Sequence, residues 1–200
     1  MRGSSPLIHC ITNYVTAGDT ANMLLAAGAS PIMADDPSES AEITALAQGL
    51  TLNLGTPSGS RVEAMLRSGA EANRRGIPVV FDPVGAGCSG FRRNSAGEIL
   101  RRVRLTAIRG NLSEISYLAG FESRENGVDS SETRITAAEA AQTAAKKLGC
   151  VCAVTGERDV ISDGSRTVTI LSGTPLLKKV TGAGCMTSCL LYTSPSPRDT

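Results

Sequence analysis

The segment Val180-Thr181-Gly182-Ala183-Gly184-Cys185-Met186-Thr187 places two glycines, one residue apart, before a run that can start a helix. A glycine-rich turn of this kind leaves the first N–H groups of the helix unpaired, and the helix dipole adds partial positive charge there. The segment therefore predicts an anion-binding turn. Cys185 follows the turn, and the same dipole is expected to acidify its thiol. The alternative is a loop before a buried helix, with Cys185 as a small hydrophobe.

Three further polar clusters each follow a short β-prone run. They are residues 82–87 after 77–81, residues 109–114 after 105–108, and residues 154–157 after 150–153. Ligands bind at the carboxyl ends of the strands in open parallel sheets. We therefore expect these clusters and the glycine turn to meet at one edge of such a sheet.

Strand-like and helix-like patterns alternate along the chain. The strand-like runs lie near residues 7–12, 30–33, 50–54, 78–81, 106–109 and 151–154, with a hairpin at 160–161 and 167–171. The helical patterns lie at 20–27, 38–48, 60–75, 96–103, 113–119 and 137–148, and again from Cys185. Alternation of this kind implies βαβ crossovers. The sequence predicts an α/β fold, a three-layer α/β/α sandwich around a mainly parallel sheet, in one domain over residues 1–191.

The composition is that of an ordinary globular chain, since 41% of its 200 residues are hydrophobic and the formal net charge is +1. Glutamate and apolar residues interrupt the arginines at 92, 93, 101, 102 and 104, and aromatic residues make up 3%. We interpret these arginines as a solvated helix face and expect no nucleic-acid partner. No apolar run approaches the ~20 residues of a membrane span, and no signal-peptide core follows the first five residues, so a cytoplasmic chain without a membrane partner is expected.

The six cysteines include no C-x-x-C pair, and the chain has a single histidine. This pattern does not favour zinc. Most of the cysteines are expected to be buried small hydrophobes in a reducing compartment.

Together with His9-Cys10-Ile11-Thr12-Asn13-Tyr14-Val15-Thr16, the four clusters resemble the hydroxyethylthiazole kinases, thiamine-salvage enzymes of the ribokinase-like superfamily. The resemblance runs from about Pro6 to Leu190, with five motifs in the order of the family. It implies a ribokinase-like fold, ATP, Mg²⁺, and phosphoryl transfer to the hydroxyl of 4-methyl-5-(2-hydroxyethyl)thiazole. It also implies a homotrimer, in which the region from Asn13 to Met33 faces Cys185 of a neighbour.

Cys185 occupies the position where most ribokinase-like enzymes have an aspartate as general base, a departure that is typical of the thiazole kinases. A thiol with an ordinary pKa near ~8.5 is mostly protonated at neutral pH. Either a partly ionised Cys185 accepts the proton of the hydroxyl, or the phosphate takes it and Cys185 only orients the alcohol. By the resemblance, the N–H groups of Gly182, Ala183 and Gly184 would hold the transferring phosphoryl group, with Gly182 also beside the substrate.

The resemblance places Mg²⁺ and the phosphates of ATP at other strand ends. Glu114, in the N-x-x-E motif that starts at Asn111, and Asp82 would lie near the metal. Arg109 and Thr155 would contact the phosphates. Each residue has a structural alternative, namely a capping box for Glu114, an Asp-Pro turn for Asp82, a surface ion pair for Arg109 and a turn for Thr155.

Asn13 and Met33 are the candidates on the substrate side, because a neutral thiazole needs a polarisable apolar wall and a few hydrogen bonds. Core packing is the alternative for Met33. His9 is interpreted as a structural hydrogen-bonding residue without a chemical role.

Three other interpretations stay open. Gly85-Ala86-Gly87-Cys88-Ser89-Gly90 matches the dinucleotide fingerprint G-x-G-x-x-G, but helical periodicity starts only at Ile99, and Arg109 stands where an acidic ribose ligand would end the next strand. A kinase of hydroxymethylpyrimidine or pyridoxal is the second interpretation, and a non-catalytic nucleotide-binding module is the third. Residues 192–200 are expected to be a non-native or disordered tail on a fragment that lacks both family termini.

Overall fold

The structure, a computed structural model, describes residues 5–121, 135–171 and 174–191, so the predicted tail at 192–200 lies outside the described residues. The described chain forms a sheet of eight strands in the order β2-β1-β3-β4-β5-β6-β7-β8. The strands are β1 (Leu7–Ile11), β2 (Ser30–Ile32), β3 (Gly49–Asn53), β4 (Val79–Asp82), β5 (Ala107–Asn111), β6 (Val151–Thr155), β7 (Asp159–Ser162) and β8 (Thr167–Ile170). Neighbours from β2 to β6 pair in parallel, whereas β6, β7 and β8 pair antiparallel. The mainly parallel sheet and the hairpin are confirmed.

Seven α-helices accompany these strands in the described residues. They are α1 (Ala17–Ala26), α2 (Ser40–Leu46), α3 (Gly59–Arg75), α4 (Gly90–Arg102), α5 (Leu112–Ala119), α6 (Ala137–Leu148) and α7 (Ala183–Leu190). α1 and α7 pack on the face of the sheet that carries Ile8 and Cys10, and α3 to α6 cover the larger core on the other face. The predicted three-layer sandwich is therefore confirmed. None of the described helices is long and apolar enough to span a membrane.

The strands in the middle of the sheet are covered on both faces. All residues of β3 and β4 are buried, which explains why both are mostly apolar runs in the sequence rather than alternating patterns. α6 turns four buried alanines inward, Ala140, Ala141, Ala144 and Ala145. These small side chains interlock with the larger ones of the core.

α4 begins earlier than the sequence indicates. Ser89 is its N-cap and accepts a hydrogen bond from the Arg92 N–H at 3.2 Å, so the helix starts at Gly90 and the predicted start at Ala96 is wrong. The first turn carries arginines and the exposed Phe91 instead of a buried apolar stripe, and periodicity therefore does not reveal it. Because apolar periodicity starts only at Ile99, the helix was also expected to begin well after the glycines of residues 85–90. This expectation is wrong for the same reason, since the helix begins at Gly90.

Arg92 is another correction, because it is half-buried rather than part of a solvated face. Its guanidinium donates hydrogen bonds to the backbone oxygens of Leu54, Gly55 (2.8 Å) and Val84 (2.6 Å). These oxygens follow β3 and β4, so the arginine links two strand ends. The other arginines of the predicted face, at 93, 101, 102 and 104, are exposed as expected.

His9 and the cysteines mostly have the structural positions that were expected. His9 is fully buried, with its ring nitrogens 2.8 Å from Thr44 Oγ1 and 2.7 Å from the Ala34 oxygen, and burial lowers its pKa. Four cysteines are buried, Cys88 is exposed and Cys185 is half-buried. Within the described ranges no group of three or more His, Cys, Asp or Glu is placed to hold a metal ion.

The chain reverses its direction across the sheet between β1 and β3. From β1 it moves through α1 to the edge strand β2, and from β2 it returns through α2 to β3 on the other side of β1. The helices on the two sides of this point leave toward opposite faces, which opens a crevice at the carboxyl ends of the strands. The residues that follow β1 and β3 border this crevice.

Arg61 of α3 joins three loops at the same edge, and only 1% of the residue is exposed. Nε and Nη2 donate to Asp35 Oδ2 at 3.0 and 2.6 Å, while Nη1 donates to the oxygen and Oγ1 of Thr56 at 2.6 and 2.7 Å. The guanidinium carbon lies 3.7 Å from the centroid of the Tyr14 ring. One buried cation thus fixes the loops after β1, β2 and β3 relative to one another.

We expect Arg61→Lys to lower the free energy of unfolding by about 3 kcal/mol, because an ammonium cannot replace the planar fork and leaves buried acceptors unpaired. Urea denaturation of the purified protein measures this. Arg67→Lys on the same helix is the matched control, since the side chain of Arg67 is 54% exposed and pairs with Glu63 one turn away. It should change stability by less than about 0.5 kcal/mol. Equal losses of stability in the two variants would contradict the role of Arg61 in fixing the three loops.

Candidate active site

α7 begins at Ala183, two residues earlier than the predicted start at Cys185, so Gly182 precedes the helix and Gly184 lies in its first turn. Gly182 is the N-cap residue and has a φ of +75°, a conformation that favours glycine. A Cβ on Gly182 would lie 2.8 Å from Thr16 Cβ, and a Cβ on Gly184 would lie 2.8 Å from Arg109 Nη2. Neither position has room for a Cβ, so both require glycine. The close neighbour of Gly184 is the Arg109 guanidinium, which is a cation.

The first turn of α7 keeps unpaired donors at this point. The Met186 N–H donates to the Gly182 oxygen at 2.9 Å, and the Ala183 N–H donates to the Val180 oxygen at a long 3.4 Å. The N–H groups of Gly184 and Cys185 have no backbone acceptor in the described part of the chain. These donors and the Arg109 guanidinium together can bind an anion.

The Cys185 thiol lies over the crevice, where Asn13 Nδ2 donates to its sulfur at 3.2 Å. Burial raises the pKa of this thiol, and the nearby Asp82 charge raises it further. The side chains of Asn53, Asn13 and Thr16 act in the opposite direction without cancelling the effect. The expected acidified thiol is therefore wrong, because burial and the Asp82 charge raise the pKa of Cys185.

Asp82 ends β4 and is fully buried. Its Oδ2 accepts a hydrogen bond from Ser188 Oγ at 2.6 Å and lies 3.5 Å from Arg109 Nη1. Its Oδ1 has no hydrogen-bond partner among the described residues. Burial raises the pKa of Asp82 to about 6 even though Arg109 and Ser188 favour the charged form. One oxygen of the Asp82 carboxylate, Oδ1, is thus left without a hydrogen-bond donor in the described part of the chain.

Arg109 and Thr155 are brought together with this carboxylate. Arg109 Nη2 donates to Thr155 Oγ1, and Thr155 Oγ1 lies 3.3 Å from the Gly110 oxygen, to which it donates. Arg109 Nε is buried and has no partner among the described residues. The side chain of Arg109 is 14% exposed, so the alternative of a surface ion pair is wrong.

Glu114 forms the capping box that was its structural alternative. Its Oε2 accepts from the Asn111 N–H and its Oε1 accepts from the Gly85 N–H, both at 2.9 Å. Its negative charge is also close enough to raise the pKa of Asp82. Two carboxylates therefore share this strand edge, and the bare Asp82 Oδ1 fits a Mg²⁺ ion that keeps most of its ligands as water and phosphate.

Asn13 and Met33 differ in their relation to this cluster. The Asn13 amide contacts Cys185 and Asn53 of its own chain directly, so the expectation that Asn13 faces the Cys185 of a neighbour is wrong. Met33 follows the edge strand β2 and is 36% exposed, so core packing is wrong for it.

The sequence analysis missed three residues of this site, Thr16, Asn53 and Ser188. Asn53 ends a buried strand and pairs in register with Asp82, the same position that identified Asp82. Ser188 lies three residues after Cys185 and therefore on the same side of α7. The sequence positions of Asn53 and Ser188 could therefore have identified both residues.

The parallel sheet, its crevice and the glycine turn packed against an arginine define a small-molecule kinase of the ribokinase-like class. A solved ribokinase-like superfamily protein from Enterococcus faecalis V583 has the same fold, with a TM-score of 0.68 over 96% of this chain and 73% of that one at 10% identity. That likeness concerns the fold alone.

The model of the hydroxyethylthiazole kinase family matches residues 1–195. The hydroxyethylthiazole kinase of Ruminiclostridium cellulolyticum is 53% identical over 194 residues, which are 96% of this chain and 71% of the relative. The solved hydroxyethylthiazole kinase protein from Pyrococcus horikoshii OT3 has a TM-score of 0.85 at 39% identity, over 96% of this chain and 73% of that one. The chain belongs to the hydroxyethylthiazole kinase family, and this assignment replaces the nicotinamide interpretation of residues 85–90.

The buried charge of Asp82 makes a prediction about stability. The pKa of Asp82 is about 6 in the fold and 3.8 ordinarily, so folding is penalised while the group is ionised. The penalty is complete above pH 6 and disappears as the pH falls toward 4. With magnesium chelated, Asp82→Asn should therefore raise the free energy of unfolding by roughly 2 kcal/mol at pH 8.

The same advantage should vanish near pH 4, and urea midpoints measured at several pH values test this. Asp159→Asn, at the first residue of β7, is the control, because asparagine keeps the oxygen that accepts the Gly156 N–H at 3.0 Å. An Asp82→Asn variant that is less stable than the wild type at pH 8 would show that the Arg109 ion pair outweighs desolvation.

Proposed function

We propose that the protein transfers a phosphoryl group from ATP to the hydroxyl of 4-methyl-5-(2-hydroxyethyl)thiazole, a step of thiamine salvage. The observation that carries this proposal is the position of Cys185, between the anion-binding turn of α7 and the crevice at the end of β1 and β3. ATP as the donor and six free thiols support a cytoplasmic location.

The phosphoryl group is bound by the donors that converge at α7. The N–H groups of Gly184 and Cys185, with the Gly182 and Ala183 turn around them, and the Arg109 guanidinium match the charge that spreads over the transferring oxygens. Thr155 holds Arg109 through its Oγ1, and its O–H would turn from the Gly110 oxygen to a phosphate of ATP. Because these groups are fixed by the fold, they stabilise the transition state without rearranging.

Asp82 and Glu114 are the residues that would hold magnesium, which would supply positive charge to balance the phosphates of ATP. Asp82 Oδ1 has no partner to give up among the described residues. Glu114 must share oxygens that already accept two backbone N–H groups, so it acts mainly through water and through its charge.

The Cys185 thiol is mostly protonated at neutral pH, because burial and Asp82 raise its pKa. It therefore orients the hydroxyl more effectively than it deprotonates it, and the proton leaves with the phosphate. A carboxylate at this position would add a base to the same arrangement.

The purified protein should phosphorylate the thiazole alcohol with Mg²⁺ and ATP, and turn over hydroxymethylpyrimidine and pyridoxal at least ten times more slowly. Cys185→Ala should lose at least tenfold in kcat while still binding ATP, since the turn of α7 remains. Cys185→Asp should retain or exceed the wild-type kcat. Product formation by mass spectrometry and ATP binding by calorimetry measure these outcomes.

Two results would count against these roles. Full activity of Cys185→Ala would mean that the thiol neither orients nor deprotonates the alcohol. A folded but inactive Cys185→Asp variant would make the size or polarity of the thiol the essential property.

The site is completed between subunits of a homotrimer. Large apolar side chains lie exposed beside the crevice and along α1, with exposed fractions of 74% for Tyr14, 67% for Val15, 58% for Leu25 and 36% for Met33. An exposed apolar group of this extent supports a protein contact. In this assembly Met33 provides an apolar wall for the thiazole bound at the Cys185 of a neighbour.

Analytical ultracentrifugation should give a trimer for the wild type and smaller species for Leu25→Lys, because a buried ammonium at a subunit contact is costly. Leu46→Lys is the matched control, since Leu46 is 65% exposed in α2 on the other face of the sheet. A fully active monomer would overturn the shared site.

A further inference from the structure

Ser188 of α7 donates its one hydroxyl proton to the Asp82 carboxylate. Its Oγ lies 2.6 Å from Asp82 Oδ2 and 3.2 Å from the Gly184 oxygen. A hydroxyl has a single O–H donor, and the shorter contact, to a carboxylate, takes it. Both side chains belong to fully buried residues, so solvent does not compete for this hydrogen bond. Ser188 therefore links α7 to the end of β4, and does more than bond the preceding turn of its own helix.

This hydrogen bond determines which oxygen of Asp82 stays free. Arg109 Nη1 approaches the same oxygen, Oδ2, at 3.5 Å, which is longer than the roughly 2.7–2.9 Å of a strong bond between a guanidinium and a carboxylate. Oδ1 has no hydrogen-bond partner among the described residues. Rotation of a carboxylate about its last torsion meets little resistance, so a short bond at one oxygen fixes the orientation of both.

The same helix also contacts the cation of this pair. A Cβ on Gly184 would lie 2.8 Å from Arg109 Nη2, so the backbone of α7 packs directly against the guanidinium. Ser188 comes four residues after Gly184 and lies on the same side of the helix. Thr155 Oγ1 accepts from Arg109 Nη2 on β6. One face of α7 thus sets the separation between the carboxylate and the guanidinium.

We propose that Ser188 is a positioning residue that keeps Asp82 and Arg109 from closing into a complete ion pair. With Oδ2 held by Ser188, Oδ1 stays available to a divalent cation and the guanidinium keeps donors for a phosphate. Without this bond the carboxylate would turn to the guanidinium, and the two charges would satisfy each other. The link to magnesium and ATP rests on the function proposed above, whereas the bond between Ser188 and Asp82 does not.

Metal binding in the absence of the alcohol tests the first half of this role. The probe is Mn²⁺ alone, which takes carboxylate and water ligands as Mg²⁺ does, and the electron paramagnetic resonance signal of the free ion measures binding. Ser188→Ala should weaken Mn²⁺ binding roughly tenfold, because the carboxylate loses the hydrogen bond that orients it. Urea denaturation shows whether the variant is folded. A folded Ser188→Ala variant that binds Mn²⁺ as tightly as the wild type would overturn the proposal.

Thr187→Val is the matched control, one residue earlier on α7. The Thr187 hydroxyl also donates to the carbonyl four residues before it, the Ala183 oxygen at 2.8 Å, but Thr187 is exposed and no hydrogen bond joins it to Asp82. Valine removes this hydroxyl and keeps the shape of the side chain. Mn²⁺ binding should stay within about twofold of the wild type. An equal loss in Thr187→Val would show that any lost hydroxyl on α7 disturbs the site, and would overturn the specific role of Ser188.

ATP binding without metal tests the second half. In the presence of a chelator, Ser188→Ala should bind ATP about threefold more weakly by calorimetry, because the guanidinium is then engaged by Asp82. Normal ATP binding beside weakened Mn²⁺ binding would overturn the part of the proposal in which Ser188 keeps Arg109 free.

The outcome for the reaction is separate from these measurements. A wild-type protein that binds Mn²⁺ but does not phosphorylate the thiazole alcohol would refute the proposed function, and the Mn²⁺ affinities would still decide the role of Ser188. If the wild type forms the product and Ser188→Ala binds Mn²⁺ and ATP normally, the function stands and the positioning role falls.

Discussion

The reversal of the chain between β1 and β3 is the constraint on which the rest of the site depends. Crossover helices cover a parallel sheet on both faces, and only where neighbouring crossovers diverge do the strand ends stay open. Here the opening is spanned by the hydrogen bond between Asn13 and Asn53. α7 ends the described chain by placing its amino terminus over this bond. Strand order alone thus brings an amide pair, a thiol and a set of free N–H groups to one point.

Electrostatics then give this point its chemical character. Asp82 and Arg109 are both largely buried, and each has one polar atom without a partner in the described residues. Their ion pair is long, at 3.5 Å, and does not compensate for the loss of water around the carboxylate. A pair that is only partly satisfied is poorly suited to stabilising a fold. It is well suited to receiving an ion and a phosphate, whose charges complete the set.

How far the sequence predicts this molecule depends on the kind of signal. Asp82 and Arg109 end apolar runs, and short-range pattern is enough to place them at the strand edge. Asn53 also lies at the end of a strand, but Leu54 follows it. The apolar pattern therefore continues past Asn53 and does not mark it as a strand end. The pKa of Cys185 depends on burial and on the charge of Asp82, which only the folded chain brings near. Met33 is exposed because it follows β2, which is an edge strand. Local periodicity does not reveal which strand lies at the edge of the sheet.

Arg92 has a consequence for how the site moves. Its guanidinium binds the backbone oxygens of Leu54, Gly55 and Val84, which belong to the segments after two adjacent strands. Neither segment can shift alone without breaking hydrogen bonds to a shared charged group. The segment that follows Asn53 and the segment that follows Asp82 are therefore held together by one guanidinium. A shift of the crevice edge after β3 would thereby be transmitted to the strand end that carries Asp82.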